Sequence, residues 1–187
     1  MALTFANKIT ICRILLVPFF ISTILYYSPD KDYLRWTALG IFMFAIVSDI
    51  VDGYIARTQH QKTKAGAILD PLADKILLIS AFICLYKIGL YFPIIRFPIW
   101  FVVAVISRDV ILLLGAMIIQ LMHGDFALEP TRWGKTSTFF QIVSVLGVLL
   151  QWKFSSFIWY VTLIFTVISG IDYIRTGIKT LNNGVKK

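Results

Sequence analysis

Four aspartates, Asp49, Asp52, Asp70 and Asp74, occupy one segment of an otherwise apolar chain. The first two are three positions apart and the last two are four apart, so each pair projects from one face of a helix. In an antiparallel helical hairpin the four carboxylates would converge and repel one another unless cations lay between them. Hard oxygen ligands select Mg²⁺, Mn²⁺ or Ca²⁺. The spacing therefore predicts a divalent metal site.

The alternative for these acids is structural ion pairing. Carboxylates in or beside hydrocarbon are costly when ionised and unpaired, so each needs a compensating charge. Arg57, Lys64 and Lys75 are near in sequence. Because three bases do not obviously balance four acids, metal binding is the favoured interpretation.

Two glycines and an arginine flank the acids. Gly53 and Gly66 lack side chains, so a bulky ligand can approach the backbone there. Arg57 can offer a bidentate fork to a phosphate. Close helix packing for the glycines and membrane-interface anchoring for the arginine are the alternative roles. Their position around the acids favours a phosphate-containing ligand.

The elements that position these residues are predicted to be membrane helices. The chain has 187 residues, of which 58% are hydrophobic and 15% charged, whereas soluble domains carry about 25% charged residues. A chain this short cannot bury so much apolar surface in a water-soluble core. The net charge of +8 fits contact with anionic lipid headgroups and does not require nucleic acid.

Apolar runs of about 20 residues indicate spanning helices, and the sequence has six. The predicted fold is an all-α integral membrane protein with one domain over residues 1–187. Apart from Arg108, the basic residues concentrate on the side that holds both termini and the aspartates. This bias places the termini and the active site in the cytoplasm, and the short loops suit a bacterial inner membrane. The predicted spans are 9–27, 34–56, 67–90, 98–121, 133–151 and 154–174.

The segment from Asp49 to Asp74, DIVDGYIARTQHQKTKAGAILDPLAD, resembles the signature of the CDP-alcohol phosphotransferases. The family's fold of six spanning helices with cytoplasmic termini agrees with the predicted spans, so the resemblance covers nearly the whole chain. Every fixed position of the signature is present: Asp49, Asp52, Gly53, Ala56, Arg57, Gly66, Asp70 and Asp74.

The resemblance implies a reaction and a set of roles. Two metal ions, commonly Mg²⁺ or Mn²⁺, would bind the pyrophosphate of a CDP-linked lipid, usually CDP-diacylglycerol. An acceptor hydroxyl would attack the lipid-side phosphorus and CMP would leave. The family is usually homodimeric. By resemblance the metal ligands would be Asp49, Asp52 and Asp70, with Asp74 near metal and acting as general base; the nucleotide would contact Gly53, Ala56, Gly66 and, at its pyrophosphate, Arg57.

Two further segments are similar to the phosphatidylglycerophosphate synthases, whose acceptor is sn-glycerol 3-phosphate. One is the N-terminal NKITICRIL, which contains Thr10 and Arg13, and the other is GKTSTFFQ, which contains Lys135 and Gln141. A doubly charged acceptor needs cations. The candidates are Arg108, inside the fourth span, and Lys135, with Arg132 after them. An arginine inside a membrane span is expected to have a function, because its burial is costly.

The acceptor is not fixed by these features. The triplet Ser107-Arg108-Asp109 departs from the form common in phosphatidylglycerophosphate synthases and also resembles the cardiolipin synthases of the superfamily, which use phosphatidylglycerol. Glycerol 3-phosphate is favoured, with phosphatidylglycerol or another alcohol such as an inositol phosphate as alternatives. Pairing of Arg108 with Asp109 is expected to be awkward, because helix neighbours diverge by about 100°.

Two other classes of protein bind cations through acids in membranes. Aspartate-rich prenyltransferases bind pyrophosphate through Mg²⁺, but their aspartate spacing differs. A small cation channel with an acidic ring would not need Gly53, Arg57 and Gly66 at these positions.

Overall fold

The computed structural model describes the backbone of residues 5–58, 64–123 and 132–184, and the side chains of residues 11–51, 73, 75–115 and 132–176. Within these ranges the protein forms six α-helices and no strand, which confirms the predicted all-α class. The helices are α1 (Phe5–Leu25), α2 (Tyr33–Thr58), α3 (Lys64–Ile88), α4 (Ile99–His123), α5 (Arg132–Leu149) and α6 (Ser155–Gly184).

Each helix covers one predicted span, with most ends displaced by a few residues. The exception is α6, which continues to Gly184, past the predicted end at residue 174. Its last turns are polar, and a helix continues beyond hydrocarbon wherever its residues favour helical backbone. Among the described residues two segments are long and apolar enough to cross a membrane, Tyr33–Val51 and Ser155–Thr176. Six membrane crossings stay a prediction.

The chain divides into two compact units, Met1–Phe97 with Val148–Trp152, and Pro98–Gly147 with Lys153–Lys187. The single domain expected over residues 1–187 stays a prediction.

In the first unit α1 packs against both α2 and α3. Phe20 and Ile24 of α1, Phe42 of α2, and Phe82 and Leu85 of α3 are all fully or almost fully buried. The Phe20 and Phe42 ring centroids lie 5.8 Å apart. Close packing of this kind holds membrane helices together, because lipid tails are as apolar as the side chains themselves. Through it, α1 contacts both helices that carry the predicted acidic cluster.

A buried glutamine, Gln151, follows the end of α5 and hydrogen-bonds to the segment between α3 and α4. Gln151 has a φ of 53°, in the left-handed region, so the helix cannot continue through it. Its Oε1 accepts hydrogen bonds from the backbone N–H groups of Ile94 and Ile95, at 3.0 and 3.2 Å. Its Nε2 donates to the Val148 carbonyl at 2.7 Å. The predicted end of the fifth span at residue 151 is therefore two residues past the observed end at Leu149.

Arg35, near the start of α2, contacts both the preceding turn and the end of α5. Its Nε and Nη2 donate to the two carboxylate oxygens of Asp32, each at 2.8 Å, and its Nη1 donates to the Leu149 carbonyl at 2.9 Å. The hydrogen-bonded guanidinium holds the pKa of the Asp32 carboxyl below its usual value.

In the second unit α4 packs against α6, with Phe101 and Trp159 in ring contact at 6.1 Å. The end of α5 approaches the start of α6 so closely that a Cβ on Gly147 would meet Ser155 Oγ at 2.4 Å. A larger residue at that position would require the Ser155 side chain to move. These contacts fix the helices that carry Arg108 and Lys135.

Candidate active site

A buried arginine on α1 holds the first aspartate of the predicted metal site. Arg13 Nη2 lies 2.9 Å from Asp49 Oδ1, and the two side chains are 2% and 43% exposed, respectively. The bases near in sequence, Arg57, Lys64 and Lys75, did not include this partner of Asp49. The reason is that α1 packs across α2 and supplies a partner distant in sequence.

The prediction that the four aspartates lie on helices is confirmed by the backbone. Residues 49 and 52 both belong to α2, and residues 70 and 74 both belong to α3. Each pair therefore lies on one helix face, as its spacing predicted. The remaining side chains predicted for this site lie outside the described ones: Thr10, Asp52, Gly53, Ala56, Arg57, Gly66, Asp70 and Asp74.

Asp49 itself is suited to bind a divalent cation. A carboxylate has about four lone-pair sites on its two oxygens, so the bond to Arg13 leaves acceptor capacity for a metal. Nearly half of its side chain is exposed, so this capacity is accessible. Carboxylates that bind metals are commonly oriented by a second hydrogen-bonding group, and Arg13 is placed to do this.

The second predicted cluster centres on Arg108, which is buried within α4. Arg108 Nη1 donates to Asp109 Oδ1 at 2.7 Å, and Asp109 is only 1% exposed. The expectation that this pair would be awkward was wrong. The Cβ directions of neighbours do diverge, but the long arginine side chain can curve back, and a buried aspartate without compensation would cost more than the bent rotamer.

Residues of α5 and α6 complete this cluster. Arg108 Nη2 donates to the Ser169 hydroxyl, and Gln141 Nε2 donates to Asp109 Oδ1 at 3.4 Å. Arg108 Nε and Gln141 Oε1 are buried without a hydrogen-bond partner in the described part of the chain. Asp109 thus accepts from both Arg108 and Gln141.

Arg108 also lines a cavity of about 270 Å³ between α4 and α6. The wall is otherwise apolar apart from Thr166, and it includes Gly170, whose absent side chain leaves room beside the arginine stem. The site is thus an apolar space with one buried cationic group.

Lys135, the other predicted acceptor-binding residue, lies in the first turns of α5 and is exposed, as is Arg132 at the start of that helix. Their charges are therefore accessible to a soluble anion. Arg108 differs, since its charge is already balanced by Asp109.

Sequence reasoning missed the roles of three residues. Arg13 was noted only for its resemblance to a related group, and Asp109 only as an awkward neighbour. Ser169 had no signal other than being polar within an apolar run. A search for polar residues inside predicted spans would have found all three, since such residues face the protein interior.

Comparison of the sequence with known proteins identifies the family of this chain. The family model for CDP-alcohol phosphatidyltransferase matches residues 3–168. The chain therefore belongs to the CDP-alcohol phosphatidyltransferase family and is a transferase of phospholipid biosynthesis. Family membership and the two apolar helices together indicate a membrane protein.

Three similar proteins have names that state an activity. A probable phosphatidylglycerophosphate synthase of Mycobacterium tuberculosis is 30% identical over 182 residues, covering 94% of this chain and 82% of the relative. The CDP-diacylglycerol–glycerol-3-phosphate 3-phosphatidyltransferase of Bacillus subtilis is 33% identical over 186 residues, covering 89% and 91%. A putative cardiolipin synthase of Mycobacterium bovis is 32% identical over 148 residues, covering 79% and 65%.

Proposed function

We propose that the protein transfers the phosphatidyl group of CDP-diacylglycerol to sn-glycerol 3-phosphate, forming phosphatidylglycerophosphate and CMP. The observation that carries this proposal is the complete aspartate signature, Asp49 to Asp74, borne on two helices of a chain that matches the family along most of its length. The relatives named for glycerol 3-phosphate, which are matched over more of their own length than the cardiolipin synthase, support this acceptor.

Two Mg²⁺ or Mn²⁺ ions would be held by Asp49, Asp52 and Asp70, with Asp74 close by. When bound, they supply charge that neutralises the pyrophosphate of the donor and the departing CMP. Arg13 supports this assignment, because it fixes the orientation of the Asp49 carboxylate at 2.9 Å without covering it.

The remaining signature residues would bind the nucleotide. Gly53, Ala56 and Gly66 would give the cytidine and phosphates close access to the backbone, and Arg57 would donate to the pyrophosphate. In the transfer step a new bond forms between the acceptor hydroxyl oxygen and the lipid-side phosphorus, and the phosphorus–oxygen bond to CMP breaks. The hydroxyl proton passes to the Asp74 carboxylate as general base.

The acceptor would be bound by Lys135 and Arg108. Lys135 is exposed and can offer its charge to a phosphate. Arg108 is neutralised by Asp109, so it would contribute hydrogen bonds more than charge.

A second candidate acceptor is phosphatidylglycerol, which would make the protein a cardiolipin synthase. The observation that favours it is the cavity beside Arg108, whose walls are almost entirely apolar. An apolar cavity suits a lipid-linked acceptor better than a small dianion. The similarity to the Mycobacterium bovis protein agrees with this alternative.

The proposal extends to the membrane location, orientation and oligomeric state of the enzyme. All six helices would cross a bacterial inner membrane, with both termini and the active site at the cytoplasmic face, as the distribution of basic residues indicates. The active form would be a homodimer, as is usual in the family.

The test is an acceptor panel with the purified protein. CDP-diacylglycerol and Mg²⁺ or Mn²⁺ are supplied with glycerol 3-phosphate, phosphatidylglycerol or inositol phosphate, and CMP and the lipid product are identified. We expect metal-dependent CMP release and phosphatidylglycerophosphate with the first acceptor. Cardiolipin from phosphatidylglycerol would select the second candidate, and absence of CMP with every alcohol would refute the transferase assignment.

Asp74→Asn tests the general base within the same assay. The amide cannot accept the proton, so we expect turnover to fall below detection while the protein stays folded, as judged by gel filtration and circular dichroism. Asp30→Asn, on an exposed turn far from the signature in sequence, is the control and should retain full activity. Substantial turnover by Asp74→Asn would remove the assigned role.

A further inference from the structure

A line of buried polar side chains runs between α5 and α6. On α5 it comprises Ser137, Gln141 and Ser144, and on α6 Thr162, Thr166 and Ser169, all of them 3% exposed or less. Each set is spaced so that its members share one helix face.

Two hydroxyl contacts join the helices along this line. Ser144 Oγ lies 2.9 Å from Thr162 Oγ1, and Ser137 Oγ lies 3.3 Å from Thr166 Oγ1. Interhelical contacts of this kind contribute modestly to membrane-helix association. They are sufficient to explain the two serines and two threonines as packing residues.

Ser169 and Gln141 differ from those four residues because they contact the Arg108–Asp109 pair. Ser169 accepts from Arg108 Nη2, and Gln141 donates to Asp109 Oδ1. Arg108 is thereby fixed at both Nη atoms, through Asp109 and Ser169. Its buried Nε has no hydrogen-bond partner among the described residues, and the side chain lines the cavity between α4 and α6.

An unmet donor on a buried guanidinium is expensive, so a ligand that accepts from it would be bound with corresponding gain. The formal charges of Arg108 and Asp109 cancel, so the preferred partner is an uncharged oxygen, such as a hydroxyl or an ester carbonyl. This partner is consistent with a cavity whose walls are otherwise apolar.

We propose that Ser169 and Gln141 are positioning residues that hold the Arg108–Asp109 pair so that Arg108 Nε donates to an uncharged oxygen of the acceptor alcohol. The inference rests on the proposed function. It deepens that function by assigning Arg108 to hydroxyl or ester recognition and leaving the acceptor phosphate to the exposed Lys135.

The experiment compares Ser169→Ala and Gln141→Leu with Ser144→Ala, which removes a buried hydroxyl from the same line away from Arg108. Kinetic constants are measured with the acceptor and with CDP-diacylglycerol varied in turn. We expect the first two variants to raise KM for the acceptor about tenfold, the cost of a hydrogen bond to a charged group, and to leave KM for the donor unchanged. Ser144→Ala should change neither KM, and Ser169→Thr should restore the wild-type acceptor KM.

Equal effects of Ser169→Ala and Ser144→Ala would overturn the proposal, as would equal increases in both KM values. A readout independent of turnover is the Nε–H resonance of Arg108 in ¹⁵N-arginine-labelled protein, assigned by its loss in Arg108→Lys. It should shift in Ser169→Ala and stay in place in Ser144→Ala; the opposite pattern contradicts the positioning role. If the wild type releases no CMP with any acceptor, the proposed function fails, whereas this resonance still decides whether Ser169 positions Arg108.

Discussion

The two units of the molecule each contain a buried arginine paired with an aspartate, and the pairs are built differently. Arg13 and Asp49 come from two helices, α1 and α2, and the aspartate is 43% exposed. Arg108 and Asp109 are neighbours on α4, and the aspartate is 1% exposed. The arginine is buried in both cases, so the exposure of the acid is what separates them.

That exposure determines what each pair can do. The Asp49 carboxylate retains accessible lone pairs, so Arg13 can orient it while a cation binds. The Asp109 carboxylate is enclosed and accepts from Arg108 and Gln141, so the second pair offers donors and no accessible anion. A similar pair of residue types is therefore suited to metal binding in one unit and to hydrogen bonding in the other.

The largest expected effect is at the exposed acid. Asp49→Asn removes a charged ligand and should lower kcat about a thousandfold, since metal stabilisation of the transition state amounts to several kcal/mol. The measurement is CMP release at saturating substrate across a Mg²⁺ titration. Asp30→Asn is the matched control. Near-normal turnover in Asp49→Asn would show that this acid is not a metal ligand.

The buried acid should instead govern stability. Asp109→Asn leaves the Arg108 charge buried without its counter-ion and should cost about 3–5 kcal/mol, read as a lower Tm in detergent. Asp49→Asn should cost less although Arg13 is also buried, because the attraction between Arg13 and the 43% exposed Asp49 carboxylate is weakened by solvent screening. Equal losses in Tm would mean that exposure does not distinguish the pairs.

Exposed Lys135 should act on the acceptor through its charge, unlike Arg108, whose charge is balanced by Asp109. Lys135→Ala should raise KM for glycerol 3-phosphate about tenfold, because one charge-assisted hydrogen bond to phosphate is lost. KM for CDP-diacylglycerol should not change. With an uncharged acceptor such as glycerol, Lys135→Ala should raise the acceptor KM less. The effect of Arg108→Lys on the acceptor KM should be the same with either acceptor. The same increase for both substrates would remove Lys135 from the acceptor site.

The smallest expected effect concerns a third pair, Asp32–Arg35, which lies outside the proposed site. The folded-state pKa of Asp32 is lowered by Arg35, so its contribution to stability is present above the unfolded-state pKa near 4 and is lost as pH falls through the folded-state value. With Asp32 about half exposed, Asp32→Asn should lower the free energy of unfolding by about 0.5–1 kcal/mol at pH 7. The difference in Tm between Asp32→Asn and wild type should shrink as the pH falls below about 4 and disappear once Asp32 is protonated in the folded protein. A pH-independent difference would contradict this account.

The sequence by itself determined the features that depend on local periodicity. Apolar runs located all six helices, because a helix in hydrocarbon must be apolar over its length. The spacing of Asp49 with Asp52, and of Asp70 with Asp74, placed each pair on one helix face, because 3.6 residues complete a turn. The signature then identified the family, since its residues lie close together in the chain.

Only the tertiary structure decided the partners of the charges. Arg13 and Asp49 meet because α1 packs across α2, and the rotation of each helix depends on packing that no short pattern encodes. The Arg108–Asp109 pair formed although helix geometry separates neighbouring Cβ atoms, because Ser169 and Gln141 on other helices enclose it. Burial changes the energy of a charge by more than local geometry does, and burial is set by the assembly of helices.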